Sequence, residues 1–582
     1  MSGEENKEVR GMEDGSAREE RGAKRKPVKI FIVASACALA ALVAASALFL
    51  SGKQEETVRI VDFGRAFNGV SVGGVDISGM TRRQALSATA GLEGKLLGNL
   101  KFTLDVNGTM HEYGADDMCV ITDYEDALSK ALMHGHEGSF EERRAAIEDA
   151  ASKGADFPIT LSVDEERLKT RLAVIKGELD TAPQDAAAIF TPWGHLADGT
   201  PYAPDLKTIK AIVGEEARGR DYGKFPALER IDPADMPNKL RYKFWRNSKY
   251  VDGYVPPGWD ISRFVYRDAV TGVFAKTDEI KDDIVNAVKT GDYSAITVPC
   301  EITSPSVTLE EVKANTQLIS SWTSSFSEHY GYNRNWNVAM ISSLINNGGA
   351  SPQGQAGSII RPGETWSANL TAGPRDSKTA KTIGWKKAAG IQDGGFNPQV
   401  GGGVCQLGST TYNAAIRSGL TVAEFNHHSI PSNYIPIGLD ATLNTKPNLD
   451  LKLRNDNPKW NYYIVSYVNP KDKNVTVEIY GPPVMDAKYG NVIYDYVSKR
   501  TGRYGSGKTV TRTTKTSIEA PDGTRVDKDN PYYKYSSARS GTTARIWRRI
   551  YAPDGTMLAE EIFSEVEKYP PVDGVTYMYV GN

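Results

Sequence analysis

A cysteine that follows three glycines, a histidine pair farther along and an aspartate beyond it are the residues whose types could do covalent chemistry in this chain. They lie in the run Val400-Gly-Gly-Gly-Val-Cys-Gln-Leu-Gly-Ser-Thr-Thr-Tyr-Asn-Ala-Ala415, in Asn426-His-His-Ser429 and in Gly438-Leu-Asp-Ala-Thr442. Gly401, Gly402 and Gly403 permit a tight turn and the close approach of another chain segment. The spacing of Tyr412, Ala415 and Ile416 after Ser409 predicts an amphipathic helix that ends near Gly419. Cys405 then stands at the positive end of that helix, a place that favours thiolate over thiol. His428 is the natural general base, and Asp440, on a turn, can orient its imidazole. The backbone amides of Cys405 and Gln406 are the candidate oxyanion contacts.

The same residues have plainer readings, which stay open. A cysteine after glycines is also a small buried side chain, and His427 and His428 can serve by bonding a loop carbonyl. Cys405, His427, His428 and Asp440 are zinc-type donors, but no H-x-x-x-H or C-x-x-C pair anchors them, so no metal is expected. No Lys-Ser/Thr follows the glycine run in register, which excludes a phosphate loop, and no cofactor is expected.

These motifs sit late in a chain of 582 residues, 40% hydrophobic, long enough for two or three separate cores. The net charge of -3 supplies no electrostatic footprint for nucleic acid as a partner. Ile30 to Leu50 is an uncharged apolar run preceded by Lys24, Arg25, Lys26 and Lys29. About 20 such residues span a bilayer as a helix, and the basic cluster keeps the N-terminus cytoplasmic. The expectation is a single-pass cell-membrane protein: a disordered cytoplasmic tail over 1–29, a transmembrane helix over 30–50 as the membrane contact, and extracytoplasmic domains beyond. A cleaved signal peptide is the alternative, with an A-x-A-like site at Ala45-Ser-Ala47, but the run exceeds a signal h-region of roughly 7–15 residues. Outside that run lie Cys119, Cys300 and Cys405, an odd number, which rules out a disulfide scaffold.

The fold class expected is α+β multidomain with a β-rich C-terminal tail. Val70 to Met80 reads as a hairpin around a Gly-Gly turn, and Thr81 with Gln84 as a capping-box helix start. Strands are expected over Leu100–Val106 and Phe157–Val163, and helices over Tyr124–Met133 and Glu141–Ala151. The stretch "VGGVDISGMTRRQAL", with "SVDEERLKTRL", "APQDAAAIF" and "VPCEITSPSVTLEEV", resembles the YoaR-like peptidoglycan-binding domain of exported wall proteins. That assigns residues 60–310 to such a domain, with 193–259, rich in Pro, Gly, Asp and aromatics, as an insertion of surface loops. From Leu318 the sequence reads as helix through Ser327, then helix from Val338 to Ile345, and later as strands over Tyr462–Val468 and Val475–Tyr480.

The segments RPGETW, GGGVCQLGSTTYNAA, HHS, GLDAT and DLKLRN follow one another between Arg361 and Asn455. In that order they closely resemble the VanW family, with Trp366 and Leu453 where the family has Phe. The VanW-like domain is placed at 318–481 and a β-rich module at 482–582, with a hairpin over Ala544–Tyr551 and Leu558–Phe563. The family is associated by name with glycopeptide-resistance gene clusters, which implies a link to glycopeptide response and leaves the biochemical activity open. Two functions follow. The first is an envelope protein that binds peptidoglycan or another wall polymer, with Gly401, Gly402, Gly403, Arg361, Arg454 and Asn455 as candidate binding residues. The second is a cysteine-dependent peptidase, amidase or acyltransferase on peptidoglycan peptides, using Cys405, His428, Asp440 and Gln406. The oligomeric state is left open.

Overall fold

The computed structural model describes residues 64–581 apart from 203–228, 233–234, 236–237, 247, 252–258, 327–330, 348–357, 393–394, 447, 470–472 and 522. The chain divides into two compact units. One comprises residues up to Thr181 together with Val273–Ile302, and the other Ala182–Gly272 together with Thr303 onward.

The first unit is α+β. Val70–Val72 turns back on Val75–Asp76 and pairs in parallel with Ala155–Phe157. The helix Arg82–Ala88 begins in a complete capping box in which Thr81 and Gln84 satisfy each other's backbone amides. The helix Tyr124–Met133 forms over the residues its periodicity marks, and its neighbour spans Phe140–Lys153. The strand expected over Phe157–Val163 is two short strands, Ala155–Phe157 and Leu161–Val163. Pro158, between them, has no N–H to give a continuous ladder.

The second unit is organised by a six-stranded sheet. Its order is Lys249–Val251, Tyr242–Arg246, Gln317–Ser325, Asn474–Gly481, Tyr462–Asn469 and Ile359–Ile360. The stretch expected to be helical from Leu318 is instead the third of these strands. It is flanked on both edges, parallel to Tyr242–Arg246 and antiparallel to Asn474–Gly481. Both its faces are covered, since Trp322 packs into the main core and Leu318 into an aromatic cluster with Tyr242, Phe264, Tyr463 and Tyr480. A strand buried on both sides shows no polar alternation, which is why its pattern misleads. Tyr242–Arg246 and Lys249–Val251, from the stretch read as surface loops, supply two strands of this sheet.

Two helices lie against the sheet, Gly331–Asn346 and Val404–Ala415, and they also touch each other. The C-terminal residues form an antiparallel meander of Val484–Asp486, Gly490–Tyr504, Gly541–Tyr551 and Met557–Tyr569. It is fastened by a buried ion network. Arg417, 2% exposed, reaches Asp495 at 3.1 Å and lies over the Trp322 ring, and Lys243 meets the other Asp495 oxygen at 2.9 Å.

The expected membrane span is corrected. Residues 30–50 lie outside the described residues, as does the tail 1–29, and no helix among the described residues is long and apolar enough to cross a membrane. The helix Gly331–Asn346 has 16 residues. That is roughly 24 Å at 1.5 Å per residue, short of the ~30 Å core of a bilayer. The fold class is α+β with β-rich regions, and the single-pass location and membrane contact, which rested on the helix expected over 30–50, are not retained.

The Arg417–Asp495 pair gives a stability test. Arg417→Ala leaves Asp495 buried with Lys243 alone, and breaking a buried pair in this way costs about 3–5 kcal/mol. Thermal or urea unfolding of the variant should show a loss of that size, and a loss below about 1 kcal/mol would place the pair among ordinary surface bridges.

Candidate functional site

The helix Val404–Ala415 is the frame of the site, and its residues divide between two faces. Residues 405, 409 and 413 recur at i, i+4 and i+8 and meet the loop that carries Asp440. The Ser409 hydroxyl accepts from the Ala441 N–H at 2.9 Å, and the Asn413 amide donates to the Leu439 carbonyl at 2.7 Å. The Cys405 sulfur accepts from the Leu443 N–H at 3.3 Å. Gly408 leaves room for the Leu443 side chain. The neighbouring face, at residues 406, 410 and 414, is locked to the strand Gln317–Ser325. Gln406 donates to the Ser324 hydroxyl at 3.0 Å, Thr410 meets the same hydroxyl at 2.8 Å, and Ser320 donates to the Ala414 carbonyl at 2.7 Å.

The three glycines ahead of the cysteine each admit a neighbour. A Cβ on Gly401 would lie 2.7 Å from the Arg375 side chain, and one on Gly403 2.8 Å from that of Arg334. At Gly402 it would strike the Ala388 carbonyl. Gly403, the helix N-cap, also has a φ of 110°, a value that side chains with a Cβ rarely adopt. Cys405 therefore sits in the first turn of the helix, where the unpaired N–H groups give a positive field.

His428 stands between Cys405 and Asp440. Its Nδ1 lies 2.6 Å from Asp440 Oδ2, its backbone N–H donates to the same oxygen at 2.9 Å, and its imidazole acts electrostatically on the Cys405 sulfur, which itself bonds the Leu443 backbone. With Nδ1 taken by the carboxylate, Nε2 is the ring nitrogen left for the sulfur. The Tyr569 hydroxyl donates to Asp440 Oδ1 and accepts from the Gly438 N–H. His427 brackets the group from outside, with Nδ1 at 3.1 Å from the Asp440 carbonyl and Nε2 at 2.8 Å from Glu567.

The charges in this row support one another. Burial pushes the Cys405 thiol up, but the His428 imidazole, the Leu443 N–H and the charge of Arg375 outweigh it and bring the thiol below its ordinary value. Burial works against the His428 imidazolium, yet Tyr434, Asp440 and Cys405 hold it well above the usual imidazole range. Burial likewise opposes ionisation of Asp440, and the hydrogen bonds and charges of the two histidines overcome it, so the carboxyl lies far below its ordinary value. The arrangement favours a thiolate–imidazolium pair backed by a carboxylate.

The sulfur and His428 open on a cavity of about 320 Å³ that Gly401, Gly403, Arg375 and Tyr434 also line. The remaining sequence candidates lie elsewhere. The Gln406 side chain, fully buried, is consumed by Arg334, Ser324 and the Ser325 carbonyl, and its N–H donates to the Gly403 carbonyl. Arg361 pairs with Glu364 and Arg454 with Asp456, both exposed, while buried Asn455 holds the Ile360 and Trp460 carbonyls. None of these four lines the cavity. Arg334, Arg375, Tyr434, Glu567 and Tyr569 were not marked by sequence reasoning. Tyr434 lies in a Pro-rich run that could have drawn notice, and the other four carry no local signal. No group of three or more His, Cys, Asp or Glu able to hold a metal occurs among the described residues, and Cys119, Cys300 and Cys405 are all free thiols.

The outer bracket has a definite pH signature. Burial tends to lower His427, but Asp440 and Glu567 raise it to about 9. The folded-state value lies above the unfolded ~6.5, so the stabilisation is complete below pH ~6.5 and is lost as pH rises through about 9. Urea midpoints from pH 6 to 10 should fall across that window, and Glu567→Gln should flatten the fall. An equal fall in the variant would assign the dependence to other groups.

Comparison with known proteins places the site inside a matched region. Residues 346–480 match the family described as "VanW like protein", and residues 113–191 match "Putative peptidoglycan binding domain". The chain is 38% identical over 85 residues to "Uncharacterized protein YoaR" of Bacillus subtilis (strain 168), an overlap of 15% of this chain and 27% of that protein. The chain therefore spans about a quarter of that relative's length. Two solved structures also match. One is "IgA1 Protease G5 domain structure", at 11% identity and TM-score 0.09, covering 16% of this chain and 93% of that one. The other is "Crystal structure of HP0197-G5", at 10% identity and TM-score 0.08, covering 15% and 95%. The motif order from Arg361 to Asn455 agrees with the first match: residues 346–480 form a VanW-like region, and residues 113–191 are similar to a putative peptidoglycan-binding domain.

Proposed function

We propose that this protein binds peptidoglycan or a related wall polymer, and that its VanW-like domain acts on the peptides of that polymer by cysteine-dependent acyl transfer. The observation that carries the catalytic part is His428, bonded through Nδ1 to buried Asp440 and lining one cavity with Cys405, whose thiol pKa it lowers. The matched peptidoglycan-binding domain supports the wall polymer as the partner.

In this reading the Cys405 thiolate attacks an amide carbonyl carbon, forming a C–S bond and a tetrahedral oxyanion. The Cys405 N–H donates no hydrogen bond among the described residues and is the nearest candidate to receive that oxyanion. Collapse breaks the C–N bond, and the amine leaves with the His428 imidazolium proton. Water or a second amine then attacks the thioester, gives a proton to His428 and releases the thiolate. Water as acceptor makes a peptidase or amidase, and an amine makes an acyltransferase. Asp440 keeps the ring oriented and the imidazolium stable throughout.

Alkylation by iodoacetamide across pH, read by peptide mass on the full chain, tests the pair. Cys405 should react well below the ordinary thiol pKa of about 8.5, and His428→Ala should slow it about tenfold or more at pH 7. Cys119, whose thiol burial pushes up, is an internal control. A Cys405 indifferent to His428 sinks the catalytic reading. Separately, the full chain and its Cys405→Ala variant should both co-sediment with purified sacculi, and failure of both to do so removes wall binding.

A further inference from the structure

The cavity beside Cys405 is lined by three guanidinium-bearing residues, Arg334, Arg375 and Arg539, and by no Asp or Glu among the described residues. Arg375 is held in place by neutral acceptors, and the charges that act on it are the Cys405 thiolate and, more weakly, Asp450. It is half-buried, and its Nη2 donates to Asn369 Oδ1 at 2.7 Å and its Nη1 to the Gly373 carbonyl at 3.4 Å, both neutral acceptors. No carboxylate lies within 4 Å of it among the described residues. A cation drawn out of water with no carboxylate in direct contact is costly, and a planar guanidinium is well shaped to take one in two parallel bonds.

The placement of Arg375 is built. Gly401 lacks the Cβ that would strike its stem. Asn369, which holds its head, is fixed in turn by Asp450 through its backbone N–H at 2.9 Å and by the Leu449 carbonyl at 2.8 Å. A second observation points to a polar ligand, since the Ser432 and Thr442 hydroxyls, both on the cavity lining, are buried and have no hydrogen-bond partner among the described residues. Unsatisfied buried hydroxyls are uncommon in folded proteins and call for a partner.

We propose, resting on the acyl-transfer reading, that Arg375 forms an anion subsite which takes a carboxylate carried by the substrate peptide within one residue of the amide that Cys405 attacks. The cavity, about 320 Å³, is at the small end of ligand pockets, so it takes a short piece of a peptide rather than a long one. The carboxylate is either the free C-terminus of the peptide or an acidic side chain beside the reacting amide. In the step itself the C–S bond forms as the C–N bond breaks and the amine takes the His428 proton. The substrate carboxylate and Arg375 stay charged throughout, so their pairing sets which peptide binds. Arg375 also stabilises the thiolate, and the test must separate that effect from substrate recognition.

The test compares two alkylating agents of nearly the same shape, anionic iodoacetate and neutral iodoacetamide, on Cys405 of the full chain. Any change in thiolate nucleophilicity alters both rates together, so their ratio reports the subsite. Arg375→Gln should lower the iodoacetate-to-iodoacetamide ratio about tenfold. An unchanged ratio overturns the proposal. With the wild-type chain, which needs no variant to fold, an N-acetyl dipeptide with a free C-terminus should protect Cys405 from iodoacetamide if the terminal carboxylate is read. A glutamyl dipeptide amide should protect it if the side chain is read. Protection by neither, or equal protection by a neutral dipeptide amide, overturns the subsite. A lowered ratio in Arg375→Gln with no dependence on His428 would defeat acyl transfer alone. Dependence on His428 with an unchanged ratio would defeat the subsite alone.

Discussion

A carboxylate with 1% exposure is affordable only when its oxygens are satisfied, and Asp440 meets that condition with donors drawn from separate parts of the second unit. One oxygen takes the His428 ring and the His428 backbone N–H, and the other takes the Tyr569 hydroxyl. Tyr569 closes the long strand Met557–Tyr569 of the C-terminal meander, so that strand completes the site rather than merely extending the chain. Glu567, two residues earlier on the same strand, fixes His427. The loop bearing Asp440 is fastened independently to the helix Val404–Ala415 through Ser409 and Asn413. Loss of any of these donors would leave a charge buried without its partner, which is why the alignment of His428 on Cys405 depends on elements so distant in sequence.

The grouping of side chains was legible where residue type alone limits what a side chain can do. Cys405, His428 and Asp440 are drawn together in the fold as their types suggested, and the capping box at Thr81 was readable because its two partners are three residues apart. What failed needed long-range information. The strand Gln317–Ser325 is apolar or small on both faces because it is covered on both, so its periodicity resembled a buried helix. Tyr242–Arg246 looked like loop in a Pro- and Gly-rich stretch, yet it pairs in parallel with that central strand, a partner no local pattern names. Tyr569 lies 129 residues beyond Asp440, and nothing in the intervening sequence announces their bond.

Two motifs that share the VanW order with the cysteine segment never reach the cavity, and their role becomes clear through Arg375. Trp366 and Leu453 pair across the strands Thr365–Ser367 and Lys452–Arg454, which carry the RPGETW and DLKLRN segments. That ladder brings Ser367 to Asp450, and Asp450 with its neighbours fixes Asn369, which holds the guanidinium. The glycine run approaches the same guanidinium from the other side. Conservative changes at these strands would thus act on the cavity at one remove. An Asn369 without its carbonyl oxygen would leave Arg375 held by the Gly373 carbonyl alone, and a loosened guanidinium loses the fixed fork that pairs with an anion in two parallel bonds. The order of segments therefore divides into a part that carries Cys405, His428 and Asp440 and a part that holds one cation still beside them.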